Sequence, residues 1–306
     1  MLRRLLLSAS DNGVIERFAR TSKLSRPVVR RFVAGDTLDD AVAATAKLIG
    51  AGLLASLDHL GEHTTERAQA EGVVAAYVAL LARLAAEGLT GGAEVSVKLS
   101  AIGQALDAPW CVDNAMRIAE AAAAVGTTVT VDMEDHTTTE LTLEMLSQVR
   151  AVHPQTGAVI QAYLRRSAGD VEDLIKSAAR VRLCKGAYRE PESVAYQGKR
   201  EVDANYARLL ARLMLHGHYP MIATHDPRLI SVAGELARRS GRPRDSFEYQ
   251  MLYGIRPQEQ HRLAAEGNRM RIYVPYGKQW YAYLVRRLAE RPANVVFFAR
   301  ALASRS

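Results

Sequence analysis

The chain has 306 residues, 40 Lys+Arg against 33 Asp+Glu for a net charge of +7, and 48% hydrophobic residues, which is ordinary globular material. No run approaches the ~18 uninterrupted apolar residues that span a bilayer, and no secretory cleavage pattern follows Met1–Ser10, so transmembrane and secreted classes are set aside. Cys111 and Cys184 are too few for a disulfide framework or a thiolate metal site and fit a reducing cytoplasm. Basic pairs such as Arg3–Arg4, Arg165–Arg166 and Arg238–Arg239 are scattered along the chain, with no basic tail or aromatic-interleaved stripe, so nucleic acid is not an expected partner.

In chain order, a helical lead-in runs to about Gly50. Short apolar or β-branched runs then alternate with longer Ala/Leu/Arg-rich stretches of helical spacing. Strand Leu53–Leu57 precedes helix Glu66–Glu87, Glu94–Leu99 precedes Asp113–Ala124, and Thr128–Val131 precedes Glu140–Val149. Val159–Ala162 precedes Val171–Ala179, Val181–Cys184 precedes Val202–Leu215, and Met221–Ala223 precedes Pro227–Arg239. Phe247–Leu252 precedes Gln258–Ala264, and Arg271–Val274 leads to a last helix around Tyr283–Glu290. Such alternation implies parallel strands with helical crossovers, and eight units make a closed (β/α)8 barrel. A doubly wound open sheet is the structural alternative, but no G-x-G-x-x-G follows any strand. The expected organisation is an N-terminal helical arm over residues 1–50 and a catalytic α/β barrel over residues 51–306.

Most strand candidates end in a polar residue: Lys98; Asp132 with Met133, Glu134, Asp135 and His136; Gln161; Lys185-Gly186; Thr224-His225-Asp226; Gln250; Tyr273. In a (β/α)8 barrel these ends open onto one face, where active sites are built. Thr224, Asp226 or Asp135 taken singly is better explained as a helix cap. Lys, Gln and Tyr are not cap residues, so the combined pattern points to a site. In the last helix Tyr283, Arg286, Arg287 and Glu290 share a face, and two adjacent arginines beside the mouth suit a carboxylate.

No metal is expected. His59 and His63 lack accompanying carboxylate ligands, and Asp132 and Glu134 point to opposite sides if their strand continues. Lys98 or Lys185 as a Schiff-base lysine is the rival chemistry, and a binding module for nucleic acid or acidic lipid is the non-enzymatic rival.

Eight strings occur in the order seen in proline dehydrogenases. They are Val97-Lys98-Leu99-Ser100-Ala101, Val131-Asp132-Met133-Glu134, Ile160-Gln161-Ala162-Tyr163, and Val181 through Tyr188 (V-R-L-C-K-G-A-Y). Ala223-Thr224-His225-Asp226, Phe247 through Gly254, Tyr273-Val274-Pro275-Tyr276-Gly277 and Tyr283 through Asn294 complete the set. The chain therefore resembles the short monofunctional form of that family. The resemblance implies a distorted barrel, non-covalent FAD, oxidation of L-proline to 1-pyrroline-5-carboxylate as the first step of its degradation to glutamate, and delivery of electrons to a membrane quinone. With the quinone goes transient peripheral contact at the inner face of the membrane; an oligomer is compatible with it.

Carried over by position, Lys98, Arg286 and Arg287 resemble a cationic clamp on the proline carboxylate. Asp132 resembles a catalytic aspartate, salt-bridged to Lys98. Tyr273 (also placed with the catalytic residues), Tyr283, Leu252 and Tyr188 resemble the pocket walls, and Glu290 a partner fixing an arginine. Arg182 resembles the residue that bonds near the flavin N5. Met133, Gln161, Lys185, Gly186, Ala187, Thr224 and His225 match family FAD contacts, with Gly186 expected to let the backbone approach the cofactor. Arg189-Glu190-Pro191 departs from the aromatic that follows Tyr188 in several relatives, and Cys184 stands where an aliphatic residue is common, with no redox role expected.

Overall fold

The computed structural model describes the backbone of residues 25–290 and the side chains of residues 29–287. Two helices lead in, α1 (Ser25–Phe32) and α2 (Leu38–Gly50). The repeating part runs β1 (Leu54–His59), α3 (Arg67–Ala86), β2 (Ala93–Val97), α4 (Ala108–Ala124), β3 (Val129–Val131) and α5 (Thr139–Val152). It continues with β4 (Ala158–Gln161), α6 (Ser167–Lys176), β5 (Arg180–Cys184), α7 (Lys199–His216), β6 (Tyr219–Ala223) and α8 (Pro227–Arg239). β7 (Glu248–Leu252), α9 (Pro257–Ala265), β8 (Met270–Tyr276) and α10 (Tyr281–Glu290) close the series.

All eight strands pair in parallel, in the order β3-β2-β1-β8-β7-β6-β5-β4. The last gap, between β3 and β4, is bridged at Thr130 and Gly157, so the cylinder is nearly closed and the (β/α)8 expectation holds. Gly157 makes this seam possible: a Cβ there would lie 2.9 Å from the Thr130 hydroxyl.

Element edges move where capping decides them. Asp107 accepts from the Trp110 amide, so α4 starts at Ala108 rather than Asp113. Asp226 caps α8 ahead of Pro227, as its bland reading expects, whereas Asp135 accepts from the Thr137 amide in the turn before α5 and caps no helix. Ala178, at φ 52°, takes the chain out of α6 before the expected end.

The helix ring departs from a regular barrel at one place. α2 packs against β1 and β8, and its Ala41, Val42 and Ala44 join the main core. It thus occupies the position that the helix after β8 takes in a symmetric barrel. α10 is displaced onto α1, where Val29, Phe32 and Val33 pack with Leu60, Trp280, Tyr281, Tyr283, Leu284 and Val285 in a second apolar cluster. Two backbone bonds tie this arm to the end of β8, from the Ala34 amide to Pro275 and from the Gly277 amide to Gly35. α3 is long and apolar enough to cross a bilayer by composition, yet Val74, Tyr77, Leu80, Leu81 and Leu84 are buried in the barrel core.

The arm also touches the β7–α9 turn. Gly254 sits at φ 70°, and a Cβ there would lie 1.7 Å from the Arg31 carbonyl oxygen. A Gly254→Ala variant is therefore expected to lose more than ~1 kcal/mol of stability, from the left-handed backbone and the collision together. Thermal denaturation against the wild type checks this; an unchanged melting temperature contradicts it.

Candidate active site

Strand alternation turns every second residue of each strand into the barrel, and in this chain many of those residues are charged. At the lower level Glu94 of β2 accepts from Arg180 of β5 at 2.8 Å, while Glu248 of β7 accepts from Arg271 of β8 at 2.7 Å. Arg271, Arg180 and Arg182 together overcome the burial of Glu94 and hold its carboxyl down to about 2.

Above this level Arg182 of β5 spends all its donors inside the barrel. Its Nε donates to Gln250 Oε1 at 2.6 Å, and Nη1 donates to Ser96 Oγ and Asp132 Oδ1, each at 2.7 Å. Nη2 donates to Ser56 Oγ at 3.1 Å and to Glu94 Oε1 at 3.4 Å. A guanidinium has five N–H groups, and these acceptors account for all of them. In this geometry Arg182 is matched by Asp132 and Glu94 and has no donor left for a bond upward.

The top level holds Asp58, Lys98, Asp132 and Tyr273. The Tyr273 hydroxyl donates to Asp132 Oδ2 at 2.6 Å, so both oxygens of Asp132 are committed. The expected Lys98–Asp132 bridge is therefore long, at 3.9 Å. Asp58, at the end of β1, holds Lys98 instead, with Oδ2 2.6 Å from Nζ. Both are buried, Lys98 at 7% exposure and Asp58 at 1%. Burial drags the lysine's pKa down, but Asp58, then Asp132 and Glu62, overturn this and raise it above the ordinary value. A Schiff-base nucleophile needs the opposite shift. Lys185 is likewise engaged, to Asp203 at 2.6 Å and Asp226 at 2.9 Å, so neither lysine suits an aldolase.

α10 brings the arginines over this level. Arg286 forms a two-pronged ion pair with Glu62 of the β1–α3 loop and lies over the Tyr188 ring at 5.8 Å. The expected partner Glu290 has its side chain outside the described residues. Glu62 senses Arg286 and Lys98 together, and despite its burial they hold its carboxyl below the usual range. Arg287 lies over the Tyr283 ring at 5.3 Å and acts on the Cys184 thiol. The three cations thus converge on the mouth, and Tyr188, Leu252, Tyr273 and Tyr283 stand around them, the first three half-exposed and Tyr283 buried. Cys184 is pushed up to about 12, chiefly by burial, and behaves as a small apolar residue.

The remaining predicted positions lie along the β3–β6 side of the mouth. Met133 and Gln161 are buried, and Gln161 donates to the Glu134 carbonyl at 2.6 Å. Thr224 Oγ1 accepts from the Asp226 amide, and His225 Nε2 accepts from the Leu252 amide at 2.9 Å. Ala187 is half-buried. Gly186, at φ 111°, has a reason within the protein: a Cβ there would lie 2.3 Å from the Tyr163 ring. The glycine is thus demanded by Tyr163, whatever else approaches it. The loop that follows is tied down by buried Glu190, which accepts from the His136 amide and the Tyr163 hydroxyl at 3.0 Å each.

His59 packs edge-on against Tyr77 and Tyr276, so it forms no pair with exposed His63. Asp132 and Glu134 diverge, one to Arg182 and the other to Ser100. Glu62, His63 and Glu134 do come within 4.8 Å of one another, but Glu62 is matched by Arg286 and Glu134 by Ser100.

Asp58 and Glu62 are the site residues that the sequence reading misses. Ending the first strand at Leu57 leaves Asp58 outside it, whereas β1 continues to His59 and points Asp58 inward beside Ser56. The signal was available: Asp58 is a polar strand end of the same kind as Lys98 and Asp132.

A parallel barrel with convergent cations and aromatic walls at its C-terminal face is an enzyme site. A profile of the proline dehydrogenase family matches residues 41–300. Proline dehydrogenase 1 of Bacillus subtilis (strain 168) is 39% identical over 302 residues, covering 99% of each chain. The proline dehydrogenase of Deinococcus radiodurans is 38% identical over 309 residues, covering 99% of this chain and 98% of its own. Among solved structures, proline utilization A (PutA) from Bdellovibrio bacteriovorus, inactivated by N-propargylglycine, superposes with a TM-score of 0.82 at 26% identity, over 92% of this chain and 34% of that one.

The chain belongs to the proline dehydrogenase family. It is an enzyme of proline catabolism, and its reaction is the oxidation of proline.

The interior network has a pH signature. Glu94 is depressed in the folded protein, so its contribution is present above the ordinary carboxylate range near 4.5 and is lost as pH falls toward about 2. A Glu94→Gln variant is expected to be less stable at pH 7 and to show a flatter decline in that acid window. Denaturant titrations from pH 7 to about 3 check it; parallel curves for the two proteins contradict the assignment.

Proposed function

We propose that the protein oxidises L-proline to 1-pyrroline-5-carboxylate with non-covalently bound FAD and passes the electrons to a membrane quinone. The cofactor supplies the hydride acceptor, at the flavin N5, for the hydrogen leaving proline C5. The residues present suit it. Cys184, Ala223, Leu252 and Tyr273 are half-exposed, although the residues two positions earlier on the same faces, Arg182, Met221, Gln250 and Arg271, are buried. On these strands the described residues open toward the mouth, and that opening is flanked by donors and cations fit for a flat ring and a pyrophosphate. Met133, Gln161, Lys185, Gly186, Ala187, Thr224 and His225 would hold the group, with Arg182 beneath it.

On the facing side Lys98, Arg286 and Arg287 take the substrate carboxylate. Fixed cations around one small anion supply orientation, which is the main thing hydride transfer requires of a binding site. Tyr188, Leu252, Tyr273 and Tyr283 enclose the apolar ring carbons, and Asp132 fixes the Tyr273 hydroxyl. The substrate nitrogen loses its proton to water before or during binding. The membrane contact that a quinone acceptor needs is peripheral and transient, and a homo-oligomer is compatible with this reading.

The observation that carries it is the convergence of a buried, charged lysine and the α10 arginines at the mouth of the barrel, with Glu62 between Lys98 and Arg286. Anaerobic L-proline is expected to bleach the bound flavin of the purified protein. An Arg287→Ala variant is expected to keep its colour but lose about 2–5 kcal/mol of proline affinity, as when one partner of a buried charge pair is truncated. A colourless protein, or a coloured one that proline leaves unchanged, contradicts the reading. Turnover is expected to rise with pH across the titration of the bound amine; a flat profile from neutral to alkaline pH contradicts proton loss to water.

A further inference from the structure

Asp58 stands outside every residue role argued so far for substrate or cofactor. We propose that Asp58 is a positioning residue for proline: it keeps Lys98 cationic and aims the lysine's free N–H groups at the substrate carboxylate. This deepens the clamp reading and rests on the assignment of Lys98 to it.

The geometry separates two jobs that one aspartate cannot do together. Asp132 gives Oδ1 to Arg182 and Ser96, and Oδ2 to the Tyr273 hydroxyl. Its charge is already matched by a guanidinium at 2.7 Å, and it leaves Lys98 at 3.9 Å, beyond hydrogen-bond reach. Asp58 bonds Lys98 at 2.6 Å, and among the described residues it shares its carboxylate with no arginine. An ammonium has three N–H groups. With one fixed by Asp58, the direction of the other two is set.

The support under Asp58 is rigid. β1 is paired on both sides, with Asp58 opposite Ser96 of β2 and Pro275 of β8. The strand's pleat turns Ser56 and Asp58 inward and Leu57 toward the helices, so the backbone under Asp58 is fixed by its register.

A buried ammonium without a partner gives up its proton. Several charged or titratable groups face Lys98. Asp58 and neighbouring His59 come from β1, and Glu62 from the loop after it. Asp132 and Glu134 come from β3 and the residues beyond it, and Tyr188 from the loop after β5. Glu62 is committed to Arg286 and Glu134 to Ser100. Removing the charge of Asp58 takes away the largest influence that opposes burial at Lys98. The lysine is then expected to give up its proton more readily, and the clamp to lose one of its charges.

The test uses the flavin-loaded protein and a five-membered-ring carboxylate in which oxygen replaces the proline nitrogen. Such a ligand neither reacts nor titrates above neutral pH. Its affinity is measured by equilibrium titration from pH 7 to about 10 for the wild type, Asp58→Asn, Lys98→Met and the double variant.

The wild type is expected to bind with a flat profile. Asp58→Asn is expected to bind at least about tenfold more weakly at pH 7, with the gap widening as pH rises. With proline, the loss falls mainly on KM. The double variant is expected to bind no worse than Lys98→Met alone, because Asp58 acts through the lysine.

An Asp58→Asn profile matching the wild type, with Lys98→Met clearly weakened, overturns the role of Asp58 and leaves the clamp standing. A double variant much weaker than Lys98→Met also overturns it. If Lys98→Met binds as the wild type does, the clamp reading itself has failed and this inference falls with it. Should Asp58→Asn not fold, the wild-type profile decides alone: affinity that falls across this range overturns the proposal.

Discussion

Opposite charges matched inside a parallel cylinder are the constraint on which this molecule depends. Glu94, Glu248, Asp132 and Asp58 face Arg180, Arg182, Arg271 and Lys98, all within the strand lattice and all nearly inaccessible. A barrel of this size is ordinarily filled by layers of branched apolar side chains. Burying so many ions is tolerable only because each has a partner at hydrogen-bond distance, since an unmatched one would cost several kcal/mol. The apolar residues are displaced to the outer face of the strands, where Val95, Leu57, Ile222, Val274 and their neighbours meet the helices.

This arrangement also explains how one small opening can carry two kinds of chemistry. Asp132 is held inside the barrel by Arg182 and Tyr273. Asp58 with Lys98, and Glu62 with Arg286, belong to the side facing α10. Lys98 and Arg286 thus each have their own carboxylate, and these charges are set before any ligand arrives. That is preorganisation in the electrostatic sense: the field is in place and need not be built during the reaction.

Much of this was legible in the chain. The eight strand–helix units emerge from hydrophobic periodicity because parallel strands covered by helices are apolar on their outer face and short. Lys98, Asp132, Gln161, Lys185, Thr224, Gln250 and Tyr273 stand out because strand ends are where a barrel exposes its interior. What stayed hidden depends on three-dimensional partnership. The choice of Asp58 over Asp132 as the anchor of Lys98 follows from Asp132 being taken by Arg182, fifty residues further on. Glu62 lies in a loop without periodicity and acquires its role from an arginine 224 residues away. The requirement for Gly186 comes from Tyr163 on a neighbouring strand end, which no local pattern reveals.

The displacement of α10 has a consequence for how the molecule is made. Its cushion comes from the opposite end of the chain, where Val29, Phe32 and Val33 lie beneath Trp280, Tyr281 and Leu284. A polypeptide emerging from the ribosome therefore carries its first helices and every strand before it owns a complete mouth. The arginines of α10 follow all eight strands in the chain, so the ions inside the barrel can be matched before Arg286 meets Glu62.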